Sequence, residues 1–337
     1  MLRDHGYHRL TVADVIDETA DARSFVLDVP PPLADRFAYA AGQFCTFRAT
    51  LAGEPVVRCY SMSSSPDTGD PFTVTVKRVP GGTMSNWMND TLAPGDAIEV
   101  MPPAGRFVLR AAETPIVAFA GGSGITPVLS IVKTALATTA REIALVYANR
   151  GAGSVIFAAA LERLRAGSGG RLSVHHHLDS ETGFLDATAC AALVGDRTQG
   201  DVYVCGPGPY MAVVEAGLEQ RGIDPARLFI ERFDLPDEPA AAVESATEAM
   251  VIRLDGRKHR VRYERGDTIL DTARRAGLKP PFACQAGNCG TCMAYLDEGA
   301  ATMRVNNALD GDEVREGWIL TCQAIPTSRE VAVDYDH

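Results

Sequence analysis

No apolar run in the 337 residues approaches the ~20 needed to span a bilayer, so neither a transmembrane anchor nor a membrane partner is expected. The opening residues, MLRDHGYHRLTV, lack both an apolar signal core and transit-peptide character, which points to the cytoplasm. Excess positive charge is missing too. The formal net charge is −11, which argues against nucleic acid as a partner. No repeat of fixed period and no low-complexity tract occurs, despite 31 Gly and 20 Pro. What remains is an ordinary globular composition, long enough for two or three domains.

Cysteine is plentiful and unevenly spread. Cys45, Cys59, Cys190 and Cys205 are scattered, whereas Cys284, Cys289, Cys292 and Cys322 fall close together near the end. Clustered thiols in a reducing compartment point to metal or redox chemistry rather than disulfides. Of the scattered ones, Cys45 in a strand and Cys190 in a helix read as packed hydrophobes.

Three rhythms follow one another along the chain. Residues 1–112 alternate apolar and polar side chains in short runs such as SFVLDV and FTVTVKRV, between Pro- and Gly-bearing turns. That predicts an antiparallel β-barrel, with one helix near TMSNWMNDTLA. Over 113–233, apolar runs (PIVAFA, EIALVYA, DVYVCG) alternate with helical stretches, which predicts an α/β domain on a parallel sheet. Residues 234–249 carry five acidic residues and no basic one, and read as a solvated linker. A small third domain takes 250–337.

The third domain holds the most specific motif. Its spacing is Cys284-x4-Cys289-x2-Cys292-x29-Cys322, the plant-type arrangement for a [2Fe–2S] cluster. Small residues between the thiols let the backbone close around a cluster and aim N–H groups at sulfur. The competing reading, a structural zinc site, expects two CxxC-like pairs, and only Cys289 and Cys292 form one.

In the barrel, RCYSMSSSP offers Arg58 as a charged fork for phosphate and Tyr60 as a flat face for an isoalloxazine ring. Ser61 supplies a hydroxyl for flavin N5, where hydride arrives. Downstream, VKRVPGGTMSNW reads as strand, Gly-rich turn and helix start, a cradle for pyrophosphate at Gly82 and Ser85. Val76 and Lys77 end that strand, where they could face the ring and ribityl chain.

Nicotinamide binding is suggested by PIVAFAGGSGITP. Gly121, Gly122 and Gly124 permit close approach of a phosphate to a helix start, although Pro127 stands where a full G-x-G-x-x-G would end. A second loop, CGPGPYM, would bring Cys205 towards the nicotinamide. The strand end YANR has no acidic residue for a ribose 2′-hydroxyl. Its Arg150 could take a 2′-phosphate or stack on adenine, which leaves NADH against NADPH open. The triplet His175–His177 reads as structural, because only its outer members share a strand face.

Taken in this order, the motifs resemble the ferredoxin–NADP reductase superfamily with a fused C-terminal plant-type ferredoxin domain. The segments RCYSMSSSP, VTVKR, YANR with SVIF, CGPGPYM and ILTCQAIP carry the likeness across essentially the whole chain. Within the superfamily it reaches the oxygenase reductases of steroid and phenylacetyl-CoA degradation. The resemblance implies FAD on the barrel, NADH on the middle domain, a β-grasp fold around the cluster and a Rieske-type oxygenase as electron acceptor. It carries over Arg58, Tyr60, Ser61, Gly82, Met84 and Ser85 as flavin contacts. Gly121, Gly122, Ser123, Gly124, Thr126, Cys205, Gly206 and Pro207 carry over as nicotinamide contacts. Phe233 falls where an aromatic often meets the flavin. Ser61, Thr126 and Cys205 form the hydride-side set. The competing class is a redox sensor that holds the same cofactors without turnover.

Overall fold

The computed structural model describes residues 6–233, 245–306, 308–309 and 311–337, and these divide into two compact units. The larger comprises residues 8–56 and 60–233. The smaller contains residues 245 to the C-terminus, with 57–59. Residues 234–244 of the acidic linker lie outside the described residues.

The larger unit begins with an antiparallel sheet. Its strands are β1 (His8–Thr19), β2 (Ala22–Asp28), β3 (Phe44–Leu51), β4 (Glu54–Ser61), β5 (Thr73–Lys77) and β6 (Ala97–Val100), with helix α1 (Thr83–Thr91) before β6. They pair in the order β4-β3-β6-β1-β2-β5. Alternation puts Leu10, Val12, Phe25, Leu27, Phe47, Val74 and Val76 inside, and α1 adds Met84 and Met88 to the same core. This is the barrel expected from the period-2 pattern.

Next come β7 (Ile116–Gly121), α2 (Ile125–Thr138), β8 (Ile143–Asn149), α3 (Ala158–Gly167), β9 (Leu172–Leu178), the short α4 (Asp179–Thr182), α5 (Ala187–Val194), β10 (Asp201–Cys205), α6 (Gly208–Gln220) and β11 (Leu228–Glu231). Every residue of β7, β8 and β10 is buried, as expected of parallel strands covered on both faces. The strand order is β11-β10-β7-β8-β9, so it reverses between β7 and β10. A ligand crevice lies at the carboxyl ends of strands at such a point.

Helix α2 ties this sheet to the barrel segment. Ser130 Oγ donates to the Ser64 carbonyl at 2.6 Å, Ser65 and Thr134 hydroxyls meet at 2.6 Å, and Lys133 Nζ pairs with Asp70 at 2.7 Å. At the amino end of β10, fully buried Asp201 pairs with Arg141 at 2.6 Å and with Arg110 at 2.8 Å.

The smaller unit holds β12 (Ala249–Leu254), β13 (Arg257–Arg262), α7 (Ile269–Arg275), β14 (Met293–Glu298), β15 (Ala301–Met303), α8 (Gly311–Glu316), β16 (Trp318–Leu320), β17 (Ala324–Pro326) and β18 (Ala332–Asp334). The main sheet runs β13-β12-β18-β14-β16, with β15 and β17 as a separate pair. Only β12 and β18 are parallel, which gives the mixed sheet of an α+β domain. Ile269 and Ala273 of α7 join Ile252, Val261 and Val333 in its core.

Candidate functional site

The dinucleotide crevice is built by two turns at the switch point. Cys205 ends β10 directly beside Ala120 of β7. Gly124 faces the second turn so closely that a Cβ there would sit 2.2 Å from the Cys205 carbonyl oxygen. Only glycine lets the two turns meet. Around them opens a cavity of about 590 Å³, and Lys77, Gly121, Gly122, Ser123, Arg150 and Pro207 from the sequence reading all line it.

Thr126 and Cys205 stand behind that wall rather than on it. Thr126 is buried, and its hydroxyl donates to the Ser123 carbonyl at 3.0 Å. Cys205 is fully buried, and burial, with the Glu231 carboxyl beside it in register, pushes its thiol well above the ordinary range. Burial also raises Glu231 to about 7.

Four further residues stand on the cavity wall: Asn149 and Tyr210, inside YANR and CGPGPYM but not singled out there, and Asp179 and Phe184, outside every motif. Asn149 is 5% exposed, and beyond its approach to the Tyr147 hydroxyl its buried amide atoms find no well-formed hydrogen bond among the described residues. The buried Tyr210 hydroxyl also has none. Buried polar atoms left under-satisfied are costly, so a wall carrying them fits a polar ligand. Phe184 is 88% exposed, a flat face free to stack on a base.

Asp179 changes the coenzyme question. The strand end at β8 carries no acid, but Asp179 reaches the same cavity from the end of β9. The two loops are joined by Ser180 N–H donating to the Arg150 carbonyl at 2.9 Å. A carboxylate here can accept both ribose hydroxyls and repels a 2′-phosphate. Asp179→Ser is expected to raise kcat/KM for NADPH about tenfold, roughly 1.4 kcal/mol, and to lower it for NADH. Unchanged discrimination between the two coenzymes would remove Asp179 from this role.

On the flavin side, Ser61 is 2% exposed, and its hydroxyl has no hydrogen-bond partner among the described residues. An orphaned hydroxyl at the end of β4 fits a polar atom of a bound ring. Tyr60 is half-buried with its edge to Phe47, and Arg58 is exposed with Nη1 donating to the Val57 carbonyl at 2.7 Å. Gly82 caps the nine-residue helix α1, and the Ser85 hydroxyl accepts from Val79 N–H at 3.1 Å. Val76 and Met84 sit differently from a ring-facing role: both side chains pack inside the barrel. The Val76 carbonyl accepts from Asn89. Phe233 is 42% exposed at the end of the larger unit.

In the smaller unit, Cys289, Cys292 and Cys322 are buried and Cys284 is half-buried. Ala286 and Asn288 N–H both donate to Cys284 Sγ at 3.4 Å, and Cys284 N–H donates to Cys289 Sγ at 3.5 Å. The loop needs left-handed backbone at Gly287 and Gly290. A Cβ on Gly287 would meet the Val305 carbonyl oxygen at 2.8 Å.

Cys284 hydrogen-bonds with Cys289 and Cys292 with Cys322, and Cys289 also meets Cys59. Hydrogen bonding from Cys292 holds the Cys322 thiol below its ordinary range, while the Cys292 thiol is pushed up. Among the described residues, the only three or more potential ligands whose atoms lie within 4.8 Å of one another are Asp297, Asp334 and His337. The four thiols therefore do not converge on a single tetrahedral ion. Four thiols too spread for one ion suit a two-iron centre, whose positive charge would ionise all four.

The remaining sequence features are structural. Cys45 and Cys190 are fully buried in apolar clusters. His177 Nε2 bonds the Gly183 carbonyl at 2.8 Å. Among the described residues, no helix is long and apolar enough to cross a membrane.

Comparison with known proteins agrees with this reading of the cofactors. Residues 9–109 match the oxidoreductase FAD-binding domain, 119–216 the oxidoreductase NAD-binding domain and 252–327 the 2Fe-2S iron-sulfur cluster binding domain. The ferredoxin reductase component of 3-ketosteroid-9-alpha-monooxygenase from Mycolicibacterium smegmatis is 41% identical, over 97% of this chain and 96% of that one. A component of the 1,2-phenylacetyl-CoA epoxidase from Escherichia coli is 34% identical, over 98% of each chain. Among solved structures, phthalate dioxygenase reductase superposes with a TM-score of 0.62 at 25% identity, covering 98% of this chain and 99% of that one. The chain is an oxidoreductase of the ferredoxin reductase type, and it belongs to the family of fused FAD-, NAD- and [2Fe–2S]-binding reductase components of oxygenase systems.

Proposed function

We propose that this chain is the NADH-dependent reductase of a 3-ketosteroid 9α-hydroxylase-type system, acting in the cytoplasm in steroid degradation and serving a Rieske-type terminal oxygenase. The observation that carries the reading is 41% identity to such a reductase over nearly the full length of both chains. A phenylacetyl-CoA epoxygenase-like or other diiron oxygenase is the second reading, favoured by 34% identity over equally complete lengths.

The proposed organisation is an FAD domain over 1–112, an NAD domain over 113–233, a linker over 234–249 and a ferredoxin domain over 250–337. When bound, the flavin accepts two electrons together from the nicotinamide and the cluster carries them singly. The chain's own residues bind and orient. Arg58, Gly82 and Ser85 hold the phosphates of FAD, Tyr60 covers the ring, and Ser61 offers its hydroxyl. Gly121, Gly122, Ser123, Arg150, Asp179 and Pro207 hold NADH, and Gly124 keeps their two turns in contact. Thr126 and Cys205 set the packing behind the nicotinamide, with Gly206 in the turn. Cys284, Cys289, Cys292 and Cys322 ligate the irons.

The test pairs the purified reductase with each class of oxygenase. With NADH, hydroxylation of a 3-ketosteroid by a Rieske-type oxygenase is expected, and oxidation of phenylacetyl-CoA by a diiron partner is not. The reverse pattern overturns the assignment. Steady-state cytochrome c reduction with NADH separates both from a sensor without turnover.

A further inference from the structure

The side chain following the last cluster cysteine is committed to the cluster loop. Gln323 is 7% exposed. Its Nε2 donates to the Gln285 carbonyl at 2.6 Å and lies 3.7 Å from Cys322 Sγ. The opposite amide orientation would set two oxygens against each other at 2.6 Å, so the donor assignment is forced. Gln285 sits among the cluster thiols with a left-handed φ of 51°, a conformation that a residue with a Cβ holds only when its surroundings fix it. A chain of contacts continues outward. Gln285 Oε1 accepts from Arg274 at 3.2 Å, and the Arg274 guanidinium lies 4.6 Å over the Phe282 ring.

We infer that Gln323 is a positioning residue for the cluster, clamping the ligand loop with one amide proton and tuning the Cys322 thiolate with the other. This rests on the reading of Cys322 as a ligand. An amide NH2 group carries two protons in a fixed fork, so one side chain can serve both acceptors at once. Hydrogen bonds to a ligating sulfur withdraw electron density and favour the reduced cluster. Leucine fills much of the same space with neither proton. Glutamate would set a carboxylate against both acceptors.

The test is Gln323→Leu in the full-length protein with its cofactors bound, and the readout is an EPR-monitored titration against a reference dye. The oxidised-to-reduced ratio of the cluster at fixed dye poise should rise about tenfold, equivalent to about 59 mV for one electron. NADH oxidation with a small artificial acceptor should stay unchanged. Gln323→Met, also without a donor, should shift the ratio the same way. A change below twofold in both variants overturns the tuning role. So does failure of both to hold a cluster, which would leave Gln323 a residue of the fold only. Cys322→Ser is the control. If it leaves the [2Fe–2S] spectrum untouched, the ligand assignment itself fails, and with it this inference.

Discussion

Replacing Cys292 with Ser is expected to reduce electron delivery to protein acceptors to background while NADH oxidation with a small artificial acceptor persists. Cys292 is 3% exposed and its sulfur is paired with Cys322. Serine keeps the volume but replaces a soft thiolate with an alcohol that holds its proton far more tightly. Iron in such clusters takes thiolates. The lost ligand also unsettles the backbone around it, because the Cys292 carbonyl accepts from Thr321 Oγ1 at 2.8 Å, and Thr321 in turn meets the Tyr335 hydroxyl at 2.8 Å. The effect on hydride transfer should stay small, since the nicotinamide residues and the flavin residues other than Arg58 belong to the larger unit. Iron content, the visible spectrum and cytochrome c reduction check it. A variant that keeps the [2Fe–2S] absorption and full cytochrome c reduction would rule Cys292 out as a ligand.

The order of the first two folds was legible because each has its own hydrophobic period. Alternation in SFVLDV predicts a strand, and β2 is one, with Phe25 and Leu27 turned into the core of the antiparallel sheet. The continuous run IVAFAG predicts a strand buried on both sides, and β7 is buried throughout. The cluster thiols were legible for another reason: three of the four sit in one short loop, so spacing alone brings them together. The coenzyme pocket was only half legible. Its glycines are local signals, but Asp179 and Phe184 reach it from the β9 end, which nothing in YANR announces. Strand order decides that neighbour, and single-sequence periodicity does not encode strand order. Val76 departs from the sequence expectation for a related reason. Adjacent strand residues leave on opposite faces, so with Lys77 on the cavity wall Val76 packs into the core.

Asp201→Asn is expected to destabilise the larger unit by about 3–5 kcal/mol, the usual cost of removing one partner from a buried ion pair. Asp201 is fully buried, and Arg141, 2.6 Å away, is 1% exposed. The Arg141 guanidinium keeps its bonds to the Thr114 and Arg110 carbonyls, at 2.5 and 3.0 Å, but those are neutral acceptors and leave its charge uncompensated. Arg110 and Arg227 also face Asp201, yet their side chains are 40% and 25% exposed, so water screens what they lose. With an m-value of about 2 kcal/mol/M, the urea midpoint should fall by about 2 M. Removing both charges, as Asp201→Asn with Arg141→Met, should recover part of the loss, because no isolated cation then remains in the core. Coenzyme binding should be spared in the folded protein. Asp201 opens β10 and Cys205 closes it, which puts the pair roughly 13 Å from the crevice. The measurement is a urea titration of both variants alongside KM for NADH below the transition. If the single variant shifts the midpoint by less than 0.3 M, on the order of 0.5 kcal/mol, water or Arg110 already neutralises the site and Arg141 is not held by Asp201.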